Sequence, residues 1–158
     1  MNIFNRPDET GLAANVLVPL AAVLIGNAVI FAGGFVQTNQ AFASVKLAPP
    51  GWVVGAVWVA LYVLYGLARW IAATAGADGR RAAWWVVLLM VWGLAYPLAT
   101  RGFDLQLSAY LNTVSLALTA FAIWRVARAS RRAAAWLLPS LAWVAFANYL
   151  ILAKLANL

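Results

Sequence analysis

The sequence predicts an all-α protein, a bundle of five transmembrane helices in a single integral membrane domain that covers residues 1–158. Hydrophobic residues make up 66% of the chain and charged residues only 9%, whereas a soluble domain is nearer half apolar and a quarter charged. The apolar residues form long runs, each close to the roughly 20 residues that a helix needs to cross a bilayer. A small water-soluble domain would leave too much of this apolar surface exposed. We therefore expect the bilayer to be the solvent.

The apolar runs place the five spans in order along the chain. The first follows a polar tail that contains Arg6, Asp8 and Glu9, and its apolar run is longer than a signal-peptide core, so we expect a retained helix. The runs are continuous rather than alternating, which favours helices over a closed β-barrel. The predicted spans are 14–36, 50–73, 82–100, 105–127 and 134–156. The predicted connections are 37–46, 75–81, 101–104 and 128–132.

Basic residues collect at one end of the predicted bundle, which we call the basic end. The other end receives only Lys46, Arg101 and Lys154. The positive-inside rule then places the N-terminus in the cytoplasm and the C-terminus outside, in what we expect to be a bacterial inner membrane. The eight residues of the basic end are Arg6, Arg69, Arg80, Arg81, Arg125, Arg128, Arg131 and Arg132.

The net charge of +7 does not indicate a nucleic-acid partner. The basic residues lie between apolar spans, and the chain has no groove-reading motif. Their position is typical of contact with anionic headgroups, so membrane lipids are the expected partners.

The connection from Gln37 to Ala48 is the longest and carries Phe42 near its middle. The predicted topology places it outside, beside the aromatic start of the second span. Two interpretations stay open: a lid over a binding site, or a plain linker.

The chain lacks the usual groups for metal binding and acid–base catalysis. It contains no histidine and no cysteine, which removes the commonest haem ligand and any thiolate metal site. All four acidic residues lie near span ends or in connections, whereas ion-coupled transport usually needs an intramembrane carboxylate. We expect neither a metal site nor an enzyme. The cofactor stays unknown, with a bound tetrapyrrole, carotenoid or lipid as the candidates.

Tryptophan is abundant, with nine residues in the chain. Indole rings favour the headgroup boundary, so those near span ends are expected to form an interfacial belt. The deeper Trp58, Trp92 and Trp143 need another explanation. The six residues near span ends are Trp52, Trp70, Trp84, Trp85, Trp124 and Trp136.

Two spans carry aromatic residues at helical spacing. On the second span, Trp58, Tyr62 and Tyr65 share one face because they are spaced i, i+4, i+7. On the third span, Trp92 and Tyr96 repeat the i, i+4 relation. Their hydroxyl and indole N–H groups need partners at membrane depth. An aromatic-walled cavity and a tightly packed aromatic core both satisfy that demand.

The fifth span carries the third deep ring. Trp143 has Ala147 one turn away, a small residue that leaves space beside the indole. Three amides also lie at membrane depth, at Asn27, Asn112 and Asn148. Each is expected either to face a cavity or to form an interhelical hydrogen bond.

These spans contain residues that resemble a known family, the tryptophan-rich sensory proteins, which are related to the mitochondrial translocator protein (peripheral benzodiazepine receptor). The resemblance implies a five-helix bundle, often dimeric, with a pocket that opens near the first loop. It also implies an association with porphyrins, sterols and synthetic aromatic ligands. The matching residues are Pro49-Pro50-Gly51-Trp52-Val53, Gly55, Val57-Trp58, Leu61-Tyr62, Gly66, Pro97, Leu137-Leu138-Pro139, Leu141-Ala142-Trp143 and Phe146-Ala147.

The resemblance also implies particular ligand contacts. By position, Trp58, Tyr62, Trp143 and Ala147 are expected to line the pocket, with two prolines shaping its entrance. The aromatic pair of the third span completes the set. The candidate ligand-binding residues are therefore Pro49, Pro50, Trp58, Tyr62, Trp92, Tyr96, Trp143 and Ala147.

Three functions are compatible with this sequence. The first is a membrane protein with a regulatory or ligand-handling role, which binds a hydrophobic aromatic, polyene, tetrapyrrole or sterol-like molecule in an aromatic-lined pocket. The alternative is an accessory or structural subunit of a larger membrane complex, since the third and fourth helices depart from the family pattern at residues 92–100 and 110–112. A porphyrin-modifying enzyme is least supported, because few residues here could transfer protons or electrons. A homodimer is among the expected assemblies.

Overall fold

The structure is a computed structural model that describes residues 2–34, 45–100, 102 and 104–156. These residues form six α-helices and a short 3-10 turn, Ile3–Asn5, without any strand. Five stretches are long and apolar enough to cross a membrane, the last of them formed by two consecutive helices. The predicted all-α bundle of five spans is confirmed. The helices are α1 (Glu9–Ala32), α2 (Gly51–Thr74), α3 (Ala77–Ala99), α4 (Leu105–Ala129), α5 (Arg131–Ala135) and α6 (Leu138–Ala156).

Two helices begin earlier than the apolar pattern indicates. The first starts at Glu9 rather than at residue 14, because the Asp8 carboxylate accepts a hydrogen bond from the Gly11 N–H at 2.9 Å and caps the helix. The third starts at Ala77 rather than at residue 82. Its first turn carries Asp78, whose negative charge suits the helix N-terminus. Hydropathy alone misses such polar first turns.

The connection predicted over 128–132 is too long. Helix α4 continues to Ala129 and α5 begins at Arg131, so only Ser130 separates them. The Ser130 hydroxyl accepts a hydrogen bond from the Ala133 N–H at 3.2 Å, which caps α5. The sequence also predicts a lid or a linker at the connection from Gln37 to Ala48. Residues 37–44 of that connection lie outside the described part of the chain.

Helix α2 is the centre of the bundle. Helices α1 and α3 pack against it, α4 packs against α3, and α6 packs chiefly against α4. The short α5 contacts both α2 and α4 at the basic end. The fully buried side chains of α2 include Tyr62 and Tyr65, whereas other large apolar residues, such as Ile25 and Val91, face outward. That outward apolar surface is what a lipid solvent allows.

Helices α1 and α2 approach each other most closely at Gly66. A Cβ at this position would lie 2.3 Å from the carbonyl oxygen of Asn15. Pro19 lies four residues after Asn15 within α1 and has no N–H, so that carbonyl loses its usual helical donor. The freed oxygen faces the Gly66 backbone, where a weak C–H···O contact is available. Pro19 therefore frees the carbonyl oxygen, and Gly66 leaves the space that lets this oxygen approach α2.

The N-terminal turn is tied to the basic end of α1 and α2. The Arg69 guanidinium donates to the side-chain oxygen of Asn15 and, at 3.0 Å, to the Phe4 carbonyl oxygen. It also lies 5.2 Å above the centroid of the Phe4 ring. The Trp70 indole N–H donates to the Arg6 carbonyl oxygen at 3.0 Å. A half-buried cation thus holds the turn through neutral acceptors and an aromatic face.

We predict that Gly66→Ala destabilises the bundle, because the new Cβ would collide with backbone that cannot rotate away. We expect a loss of about 2–3 kcal/mol in the free energy of unfolding, as for overpacked cores. Denaturation in mixed detergent micelles, followed by far-UV circular dichroism, measures it. Gly55→Ala is the matched control, since its Cβ would meet the Phe31 ring at 3.1 Å, which can shift, and the Asn27 side-chain nitrogen at 3.6 Å, an ordinary contact. Equal losses in the two variants would contradict this account.

We also predict that Arg69→Gln releases the N-terminal turn, because the shorter neutral side chain cannot bond the Phe4 carbonyl and stack on the ring. Amide hydrogen exchange in a peptide covering residues 2–8 should become roughly tenfold faster, as expected when a hydrogen bond from a charged donor is lost. Arg80→Gln is the control, since Arg80 is exposed at the same end. Unchanged exchange in Arg69→Gln would show that the turn is held by other contacts.

Candidate functional site

Trp58 and Tyr62 lie between α2 and α3. Tyr62 is only 1% exposed, and its hydroxyl donates to the backbone carbonyl of Met90 on α3. The ring centroids of Trp58 and Tyr62 are 6.3 Å apart. Gly93 makes room for both rings: a Cβ there would lie 3.0 Å from the Tyr62 hydroxyl and 3.1 Å from the Trp58 indole. At this interface the two side chains are packed against helix backbone.

Trp92 and Tyr96 lie between α3 and α4. The Trp92 indole N–H donates to the Ser115 hydroxyl at 2.8 Å. The Tyr96 hydroxyl donates to the Ser108 carbonyl oxygen at 3.5 Å, a long bond. The two rings contact each other in an edge arrangement, with centroids 6.2 Å apart. Both polar groups thus find partners on the neighbouring helix.

Trp143 occupies a different place, an apolar groove between α2 and α6 that we call the α2–α6 groove. Its volume is about 430 Å³. Trp143 and Phe146 form its aromatic wall, with ring centroids 5.7 Å apart. Ala60 and Ala142 are exposed at its rim, so the groove is open at the outer surface of the bundle. The lining residues are Val57, Ala60, Leu61, Leu64, Pro139, Ala142, Trp143 and Phe146.

Helix α6 is hydrogen-bonded to both α2 and α4. Leu137 is fully buried where α5 ends, and α6 then begins with Pro139 in its first turn, a position that tolerates the missing N–H. In the same turn Ser140 shares a side-chain hydrogen bond with Tyr65 of α2. Farther along, the Asn148 amide donates to the Asn112 carbonyl oxygen at 3.1 Å and accepts from the Thr113 hydroxyl at 3.2 Å. The groove is the space left between the apolar faces of α2 and α6.

The three deep amides also have definite positions. The Asn27 amide donates to the Gly55 carbonyl oxygen at 3.3 Å and links α1 to α2. Asn148 links α6 to α4, so two of the three form interhelical hydrogen bonds. Asn112 differs, because its side-chain nitrogen is buried without a hydrogen-bond partner in the described part of the chain. It lies on the α4 side of α6 rather than in the α2–α6 groove.

The structure brings the eight predicted site residues together only in part. Trp58 pairs with Tyr62 and Trp92 pairs with Tyr96, each at its own helix interface, while Trp143 alone of the set lines the α2–α6 groove. Ala147 is half-buried one turn along from Trp143. The two prolines stand just before α2, where exposed Pro50 is its N-cap residue and Pro49 is half-buried. Ligand binding by these eight residues stays a prediction.

Most residues of the groove were not predicted from the sequence as ligand contacts, although their spacing along each helix gave a signal. On α2 the lining residues fall at 57, 60, 61 and 64, and on α6 at 139, 142, 143 and 146. Both sets follow the i, i+3, i+4, i+7 spacing of a single helix face. Small and aliphatic residues at that spacing draw less attention than rings. Gly93, which accommodates two rings, was missed for the same reason.

The lining of the groove is apolar. Among its lining residues there is no charged side chain in the described part of the chain, and the Trp143 indole N–H is the one side-chain donor. Such a surface offers packing against aliphatic side chains and contact with aromatic faces.

Comparison with known proteins supports the predicted relationship. The model of the TspO/MBR family matches residues 15–155, which include both walls of the α2–α6 groove. Comparison with curated proteins and with solved structures found no match. The family match extends over nearly all of the five spans described above. The chain is therefore an integral membrane protein that belongs to the TspO/MBR family.

Proposed function

We propose that this protein binds a flat hydrophobic molecule in the α2–α6 groove and serves as a ligand-handling or regulatory membrane protein. The observation that carries the proposal is the pairing of an aromatic wall with a wall of small and aliphatic residues. Trp143 and Phe146 stand on one side, and Ala60, Leu61 and Leu64 on the other.

The size and polarity of the groove suit such a guest. A volume of about 430 Å³ falls within the roughly 300–1,000 Å³ of small-molecule sites. Alanines at the rim leave room beside the rings, so a planar guest can lie against the Trp143 face. Contact with an aromatic face contributes about 0.5–1.5 kcal/mol.

The route to the groove favours a ligand that dissolves in lipid. The lining residues of α2 lie near the middle of that 24-residue helix, hence at mid-bilayer depth. Access is lateral, from the hydrocarbon. This matches a tetrapyrrole, carotenoid or sterol-like molecule. The chain has no histidine, so a metal-bearing ring would be held through its face and edges.

The charge distribution supports a proposed membrane and orientation. Basic residues outnumber acidic residues 11 to 4 and concentrate at the basic end. The positive-inside rule supports a bacterial inner membrane with the N-terminus in the cytoplasm.

Filling the groove tests the proposal. We predict that Ala60→Trp weakens binding at least tenfold, because the indole would occupy the space beside Trp143. Ala56→Trp is the matched control: it adds the same ring one turn away, at an exposed position outside the groove. Binding is measured in detergent with protoporphyrin IX and cholesterol as separate probes, alongside mass analysis of molecules that co-purify with the wild-type protein.

The outcomes are distinct. Equal affinities in Ala60→Trp and Ala56→Trp would remove the groove as the site. A wild-type protein that binds neither probe and co-purifies with no hydrophobic small molecule would reject the ligand-binding function. Recovery from mild detergent only within a larger complex would then favour the accessory-subunit role.

A further inference from the structure

A second cluster of aromatic residues lies on another side of the bundle, where α3 and α4 meet at the basic end. Trp85 of α3 contacts Phe121 of α4 edge-on, with ring centroids 5.0 Å apart. Phe121 in turn lies 5.4 Å from Trp124. We call these three rings the aromatic row. Phe121 and Trp124 are 43% and 49% exposed, so the row is open to the surroundings.

Two arginines lie over the aromatic row. The guanidinium carbon of Arg125 is 6.0 Å from the Trp85 ring centroid and 5.8 Å from that of Trp124. The Arg128 guanidinium carbon also lies over Trp124, 5.4 Å from its ring centroid. A guanidinium over an aromatic face keeps the N–H groups at its edge available to donate. The two arginines are spaced i and i+3 and therefore lie on one helix face.

Neither guanidinium has an anionic partner in the described part of the chain. The ion pair recorded there joins Arg81 to Asp78 at 3.5 Å, and both of those side chains are exposed. Arg125 and Arg128 themselves are exposed, and their side chains form no hydrogen bond or ion pair within the described ranges. Two neighbouring guanidinium groups without a carboxylate partner are suited to hydrogen-bond a phosphate group.

The polarity of the cluster changes along the helix axis. Phe121 precedes Arg125 by one turn and lies deeper in the span, so apolar rings continue from the guanidiniums toward the membrane centre. A soluble phosphate would make no use of those rings. A phospholipid would use both parts, with its phosphate on the arginines and its acyl chains along Phe121 and Trp85.

We infer that Arg125, Arg128 and the aromatic row form a specific site for an acidic phospholipid, such as phosphatidylglycerol, in the leaflet at the basic end. Charge complementarity selects the acidic headgroup, and the stacked geometry separates this site from the general attraction of basic residues to a negative surface. The site does not involve α2 or α6 and is independent of the proposed groove ligand.

Native mass spectrometry of the full-length protein in detergent micelles tests this inference. The probes are phosphatidylglycerol and phosphatidylcholine with the same acyl chains. The wild-type protein should prefer phosphatidylglycerol. The double variant Arg125→Gln/Arg128→Gln should bind phosphatidylglycerol about 25-fold more weakly, from roughly fivefold for each guanidinium, with phosphatidylcholine binding unchanged.

The matched control is Arg131→Gln/Arg132→Gln, which removes the same charge at the same end from residues outside the aromatic row. Its affinity for phosphatidylglycerol should fall by less than about threefold, which is the effect expected from general surface electrostatics alone. Equal losses in the two double variants would overturn the inference, because they would reduce it to general surface electrostatics. Equal wild-type affinity for the two lipids would also overturn it. Displacement of phosphatidylglycerol by millimolar inorganic phosphate would reject a lipid as the occupant.

A charge-preserving comparison keeps the test decisive if the glutamine variant fails to fold. Arg125→Lys/Arg128→Lys retains both charges but loses the planar fork, and we expect about a fivefold loss, against no change in Arg131→Lys/Arg132→Lys. Circular dichroism and gel filtration establish that each variant is folded and monodisperse. Wild-type affinity in Arg125→Lys/Arg128→Lys would show that the stacked geometry is not used.

Discussion

The bilayer core offers no water to hydrogen-bonding groups, and this constraint explains how the helices are joined. Several polar side chains at depth reach a neighbouring helix: Asn27 joins α1 to α2, Tyr62 joins α2 to α3, and Trp92 joins α3 to α4. Asn148 joins α6 to α4. Tyr65 joins α2 to α6 through the Ser140 hydroxyl. The groove lies at that same interface, between apolar side chains of the two helices.

Helix packing in this bundle also depends on residues with little or no side chain. Gly66 lets α1 and α2 meet backbone to backbone, and Gly93 accommodates two rings between α2 and α3. Where α2 meets α6, alanines on both helices line the open groove. Small residues therefore accompany a close helix contact at one interface and a groove at another.

The sequence was sufficient for the fold class and the five spans, because both depend on the length and composition of apolar runs. The helix starts at Glu9 and Ala77 were not predicted, since capping and first-turn charges extend a helix beyond its apolar run. Spacing placed Trp58 and Tyr62 on one face but could not say which helix that face meets. That choice depends on Gly93, far along the chain. Trp143 was singled out as a deep ring and lines the α2–α6 groove, whereas most of its neighbours there were not predicted as contacts.

The lateral access proposed for the α2–α6 groove would change what occupancy means for this member of the TspO/MBR family. A guest that arrives sideways is already partitioned into the bilayer, where its local concentration far exceeds its concentration in water. The competitor it must displace is an acyl chain, not water, so the hydrophobic effect would contribute little to discrimination. Shape and ring contact at Trp143 would then supply the selectivity. The protein would report the composition of its membrane rather than the concentration of a solute.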